Sequence, residues 1–157
     1  MPENASSERA TAAGSKSRHF LSSEDLAEEM TVFGDPARLH VHPTAKVNDA
    51  LFNLSSGEVT VGKFAFFGHR VSVLTGSHDF TKFGEERQNA IAADGHDVVI
   101  GEGVWVASHA IIVGPCTIGD HAVVGVASVV LDDVAPYTVV AGHPAKPLKV
   151  IDHSEQP

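Results

Sequence analysis

Residues 100–134 read IGEGVWVASHAIIVGPCTIGDHAVVGVASVVLDDV, and a step of six along this stretch decides the fold. The positions reached are Ile100, Val106, Ile112, Ile118, Val124 and Val130, all β-branched and aliphatic. Four residues after each stand Val104, Ala110, Cys116, Ala122, Ser128 and Val134, all small or β-branched. A plain strand alternates every two residues and a helix about every 3.6, so neither explains a period of six. One aliphatic and one small inward residue per six fit a short strand followed by a turn. Each unit then forms one flat side of a coil, and stacked coils bury a continuous aliphatic stripe. Gly101–Glu102–Gly103 and Gly119–Asp120 supply turn residues. The competing reading is a sandwich of alternating Val-rich strands, and six matches without a slip weigh against it.

Upstream, Val61, Phe67 and Val73 keep the same step, and an earlier register runs Val41, Val47 with Asn53 in its third slot. About two extra residues within 54–60 separate these registers. A larger break lies between Val73 and Ile100, where residues 79–97 (DFTKFGEERQNAIAADGHD) interrupt the repeat. A segment of that length reads as a loop extruded from a regular scaffold, which in compact domains is typically functional or disordered. Residues 1 to about 19 have no periodic order. Ser22 with Asp25, then Leu26 and Met30 on one face, predict a short helix beyond them, and continuation of a disordered tail is the other reading. The expected organisation is a tail with a short helix over 1–33, a coiled all-β domain over 34–150 carrying the 79–97 loop, and a tail over 151–157.

Composition agrees and narrows the function. The 157 residues suit one domain. Val outnumbers Leu and Ile, at 21 against 8 and 6, which disfavours a helical bundle. The net charge of −9 argues against a nucleic-acid partner, because phosphate recognition needs clustered positive charge. That charge is unevenly placed: residues 1–33 carry −3, 79–97 carry −3 and 151–157 carry −2. The repeat itself is nearly neutral and can still offer lysines to an anion. One cysteine excludes an intrachain disulfide and a CxxC metal site. No apolar run approaches the ~20 residues of a membrane span, and the N-terminus lacks a signal-peptide core. The expected setting is cytoplasmic.

The stretch GEGVWVASHAIIVGPCTIGDHAVVGVASVVLDDVAPYTVVAGHPAKPLKVI resembles the C-terminal coils of hexapeptide-repeat acyltransferases, in particular sugar and antibiotic O-acetyltransferases. LTGSHDF resembles the segment that carries this family's active-site histidine, at His78 here. The resemblance covers about residues 34–151. It implies a left-handed parallel β-helix of triangular coils, a homotrimer, active sites in clefts between subunits, and acyl transfer from an acyl-CoA such as acetyl-CoA to a sugar or glycan hydroxyl. Within the same family, an N-acyltransferase of an amino sugar is a rival reading. A silent trimeric binding module is another, weakened by the presence of His78. The γ-class carbonic anhydrases share the fold but need convergent His ligands for zinc. No two of His69, His78, His96, His109 and His121 are five apart as in that family, so no metal is expected.

Direct acyl transfer needs a base, an oxyanion donor and a site that aligns the two substrates. His78 is the candidate base, because a neutral imidazole is abundant at pH 7 and can return the proton. Asp79 beside it is either an orienting carboxylate or a turn residue. Trp105, the single tryptophan, precedes a step position and should point outward, towards a partner or a subunit interface. By the resemblance it contacts coenzyme A, and the Ser108 backbone N–H faces the thioester carbonyl. Lys146 and Lys149 match positions that are often basic in the family and reach coenzyme A phosphates. After SVV, where the family often has Thr-Lys, this chain has Leu131–Asp132, so one expected cation is missing. Asn53, by the Phe52–Asn53 pair, and Arg87, with Phe80 and Phe83 in the loop, are weaker acceptor-side candidates. In galactoside-type members the acceptor asparagine lies just upstream, at the slot held here by Leu51. Cys116 occupies an inward position and reads as core.

Overall fold

The computed structural model describes residues 30–154. The first coils contain β1 (Thr31–Phe33), β2 (Leu39–Val41), β3 (Leu51–Asn53), β4 (Val59–Val61), β5 (Phe66–Phe67) and β6 (Ser72–Leu74). A single α-helix among the described residues, α1 (Gly84–Asn89), lies in the extruded segment. Beyond it come β7 (Val98–Ile100), β8 (Trp105–Val106), β9 (Ile111–Val113), β10 (Cys116–Ile118), β11 (Val123–Val124), β12 (Val129–Val130), β13 (Thr138–Gly142) and β14 (Ala145–Val150).

These strands form three sheets: β1-β3-β6-β9-β12, β2-β4-β7-β10 and β5-β8-β11-β13-β14. All pairings are parallel except the final β13–β14 hairpin. From β3 to β12 consecutive strands fall on successive sheets, so each coil has three flat sides. Ile100 pairs with Ile118 and Val106 with Val124, which is three hexapeptides per coil.

The six-residue ladder is the core. Ile100, Val106, Ile112, Ile118, Val124 and Val130 are each no more than 1% exposed. Complete burial of such side chains is worth roughly 1.5–3 kcal/mol each. Their small partners Val104, Ala110, Cys116, Ala122 and Ser128 are buried too, filling the narrow corners of the triangle. Two corners turn through left-handed residues. One uses Phe64, Gly103, His121 and Tyr137, the other Asn48, Arg70, His109 and Ala127. Seven of these eight carry side chains, at a cost of roughly 1–2 kcal/mol per residue that coil stacking must offset.

The third corner holds the largest departures from the repeat. Val61 pairs with Ile100 across 39 residues instead of 18, and the surplus leaves the body between Leu74 and Val98. At the same corner one coil earlier sits the short 54–57 segment, and one coil later the Gly114–Pro115 turn.

Two expectations change. The third slot of the first register belongs to Phe52, fully buried and paired with Val73, not to Asn53. That side of the coil is one residue shorter than six. The coiled body also starts before residue 34, since Thr31–Phe33 pairs in register with Leu51–Asn53. The helix expected before Met30 lies outside the described residues.

Candidate functional site

The extruded segment is a stem with a helical tip. Its base is closed by Asp79 N–H donating to Ala90 O at 2.9 Å and Ala92 N–H donating to Ser77 O at 3.0 Å, with His78 opposite Ile91. Arg87 organises the tip. Its guanidinium donates to the carbonyls of Lys82 (2.6 Å) and Phe80 (3.1 Å) and lies 5.0 Å over the Phe83 ring. The returning chain is fastened to the body by Arg38, which donates to Ala93 O and to Asp94 Oδ1. It also passes between two glycines. A Cβ on Gly57 or on Gly114 would collide with the His96 backbone.

His78 lies where the stem leaves the coil, in an open cleft of about 350 Å3 lined by Ser77, Asp79, Phe80, Ala90, Ile91, Ala92 and His96. Its Nδ1 is 3.0 Å from the Arg87 carbonyl oxygen. A carbonyl can only accept, so Nδ1 carries the proton and donates. The neutral ring therefore keeps its lone pair on Nε2, which is the form a general base requires.

The neighbouring candidates make contacts within their own segments. Asp79 Oδ1 accepts from the Thr81 amide (2.9 Å) and hydroxyl (2.6 Å), which is a turn geometry. These bonds hold its carboxyl below the usual carboxylate range. Arg87 faces its own loop carbonyls, and its backbone oxygen sets the His78 tautomer. Asn53 Oδ1 accepts from Ser55 N–H, and its side chain lies under Gly76, at the root of the stem.

Trp105 and the lysines share another surface. Register places Phe66, Trp105, Val123, Val139 and Lys149 in one file across the third sheet. Phe66 and Trp105 stack at 5.9 Å and 12° and are 44% and 46% exposed, so the file is an accessible apolar track. Four strand spacings of ~4.8 Å make it ~19 Å long, ending on a cation. That suits an extended ligand with an apolar arm and a phosphate end. Lys146 lies nearby on β14, 4.0 Å from Asp132, an exposed pair that costs little to separate. Ser108 sits at the corner following Trp105. Its Oγ accepts from His69 N–H at 3.0 Å, and its backbone N would be 2.6 Å from a Cβ on Gly68.

The structure does not bring the two groups together within one chain. His78 departs from the corner between the first and second sheets. Trp105 and Lys149 face outward from the third sheet, which is the opposite side of the triangle. Sequence reasoning missed Arg38, and weighed His96 only as a zinc ligand. Gly57 and Gly114, at the loop corner one coil before and one coil after the extruded segment, were the available signal that a chain passes close by. Among the described residues no three His, Cys, Asp or Glu side chains converge as metal ligands. None of their helices is long and apolar enough to cross a membrane.

Comparison with known proteins adds independent findings. A family model for the bacterial transferase hexapeptide (six repeats) matches residues 97–132. A Schizosaccharomyces pombe protein with an acetyltransferase name is 31% identical over 146 residues, which is 82% of this chain and 68% of that protein. Serine acetyltransferase 2 of Arabidopsis thaliana is 33% identical over 79% of this chain, and the chain spans only 35% of its length. Among solved structures, a galactoside acetyltransferase in complex with coenzyme A superposes with a TM-score of 0.65 at 25% identity, covering 80% of this chain and 61% of that one.

Proposed function

Because the chain belongs to the hexapeptide-repeat acyltransferase family, we propose that it moves an acyl group, acetyl in the first instance, from acyl-CoA to a hydroxyl of a sugar or glycan. The observation that carries this reading is His78, held by the Arg87 carbonyl in the tautomer that leaves Nε2 basic, within the cleft of the extruded stem.

The chemistry balances without a protein nucleophile. The acceptor hydroxyl oxygen attacks the thioester carbonyl carbon as its proton passes to His78 Nε2. The resulting oxyanion takes a hydrogen bond from the Ser108 backbone N–H. When the intermediate collapses, the C–S bond breaks and the imidazolium returns its proton to the departing thiolate. Trp105 and Phe66 lie under the apolar arm of coenzyme A, and Lys149 with Lys146 meets its phosphates. Asn53, Asp79 and Arg87 support the acceptor side by shaping the stem.

Since His78 and Trp105 occupy opposite sides of one triangular body, a complete site needs a second copy. A homotrimer, with each cleft formed between the stem of one subunit and the third sheet of the next, supplies it. A cytoplasmic setting gives access to acyl-CoA. The test is a mass-spectrometric screen of acyl-CoAs against sugars, amino sugars and glycans, with His78→Ala as control. Transfer to a hydroxyl that vanishes in the variant supports the reading. Transfer only to amines, or none to any sugar, overturns the acceptor assignment.

A further inference from the structure

The cleft contains a second imidazole that the proposed reaction leaves unused. His96 lines it together with His78. Its backbone is fixed directly to the coiled body. The His96 N–H donates to Ser56 O at 3.1 Å, and the peptide runs between Gly57 and Gly114, where no side chain would fit. The ring is therefore mounted on the rigid body, while His78 is mounted on the stem.

His96 Nδ1 is buried and, among the described residues, has no hydrogen-bond partner. This decides which nitrogen carries the proton. A buried N–H without an acceptor is worse than a buried lone pair without a donor, because orphaned donors are the rarer and costlier defect. The neutral ring thus keeps its lone pair on Nδ1 and its proton on Nε2, at the far side of the ring. His78 has the opposite arrangement, with Nδ1–H bound to Arg87 O and a lone pair on Nε2.

Resting on the acyl-transfer reading, we propose that His96 is an acceptor-binding, specificity-determining residue whose Nε2–H donates to a second oxygen of the acceptor, next to the hydroxyl that His78 deprotonates. One ring offers an acceptor and the other a donor. That pair matches two neighbouring oxygens of a polyol, one giving up its proton and one receiving a hydrogen bond. The acceptor class this selects is a vicinal diol, as in a pyranose, over an isolated alcohol.

Two measurements test it. Long-range 1H–15N spectra of the isotopically labelled protein, without substrates, assign both tautomers. The expected result is Nδ1–H for His78 and Nε2–H for His96, and Nδ1–H on His96 overturns the proposal. This readout stands even if the acyl-transfer reading fails. The second uses acetyl-CoA with methyl β-galactoside and its monodeoxy analogues. His96→Leu should raise the KM for the parent glycoside about 3- to 10-fold, the range of one hydrogen bond. It should leave the acetyl-CoA KM unchanged and have no effect on the analogue lacking the bound oxygen, and His96→Gln, which retains a donor, should recover part of the loss. Equal losses on the parent and every deoxy analogue overturn the proposal in favour of a packing role. No transfer to any glycoside by the wild type refutes the acceptor assignment and this inference together, and the spectra then show whether the tautomers alone survive.

Discussion

Gly57→Ala tests whether the stem is seated by the glycine corner beneath it. A Cβ at Gly57 would lie 2.6 Å from His96 C, 2.7 Å from Asp97 N and 2.8 Å from His96 O. Carbon contacts are favourable at about 3.5–4.0 Å, so the returning strand has to move by roughly 1 Å. All three neighbours are backbone atoms, and no rotamer change relieves the clash. Overpacking of this kind costs about 1–3 kcal/mol. At about 2–4 °C per kcal/mol for a domain of this size, Tm should fall by roughly 2–12 °C. The displaced strand carries His96 N–H to Ser56 O, Val98 N–H to Glu58 O and Glu58 N–H to Asp97 Oδ1. Hydrogen exchange at the His96 and Val98 amides should therefore accelerate. Acyl transfer should fall at least ~10-fold, since an ångström of misplacement at a reacting centre can cost up to ~100-fold. Gly84→Ala is the control. Its φ is +54° and nothing lies within 4 Å of its added Cβ, so its strain stays at the loop tip. Wild-type Tm and wild-type protection at His96 and Val98 in Gly57→Ala would refute the reasoning.

Three further outcomes follow from the geometry. Hydrogen bonds from Thr81 hold the Asp79 carboxyl below its usual range, so they favour the folded turn above the unfolded carboxyl value of about 3.9 and are lost as pH falls through the depressed folded value. Thr81→Val should raise the Asp79 titration midpoint seen by carbon NMR, and an unchanged midpoint contradicts the turn assignment. Burial, with the nearby charges of Asp133 and Asp132, pushes the Cys116 thiol up to about 12, so thiol reagents at pH 8 should label it only after unfolding. Rapid labelling of the native protein would contradict its place in the core. Trp105→Ala should raise the acyl-CoA KM more than the acceptor KM, and the reverse pattern would move Trp105 to the acceptor pocket.

The core was legible because each inward position repeats at one spacing, from Ile100 to Val130. Legibility failed where the spacing did. The side ending at Phe52 is a residue short, so counting by six landed on Asn53. Among the described residues Thr31–Phe33 has one neighbouring strand rather than two, and its partly exposed residues show no inward stripe. Left-handed corners at Phe64, Arg70 and His109 are imposed by coil closure and carry no glycine signal. His78 was visible through its motif, but its tautomer was not, because it depends on a carbonyl nine residues away. Arg38 binds Ala93 and Asp94 across more than fifty residues, beyond the reach of any local pattern.

The central claim is that His78 takes the proton of the attacking hydroxyl. The most direct measurement is the single-turnover rate of acyl transfer by His78→Ala against wild type, on protein shown by circular dichroism and sedimentation to keep its fold and assembly. A loss of at least ~100-fold is expected, the lower end for removal of a general base. Turnover within a few-fold of wild type would contradict it.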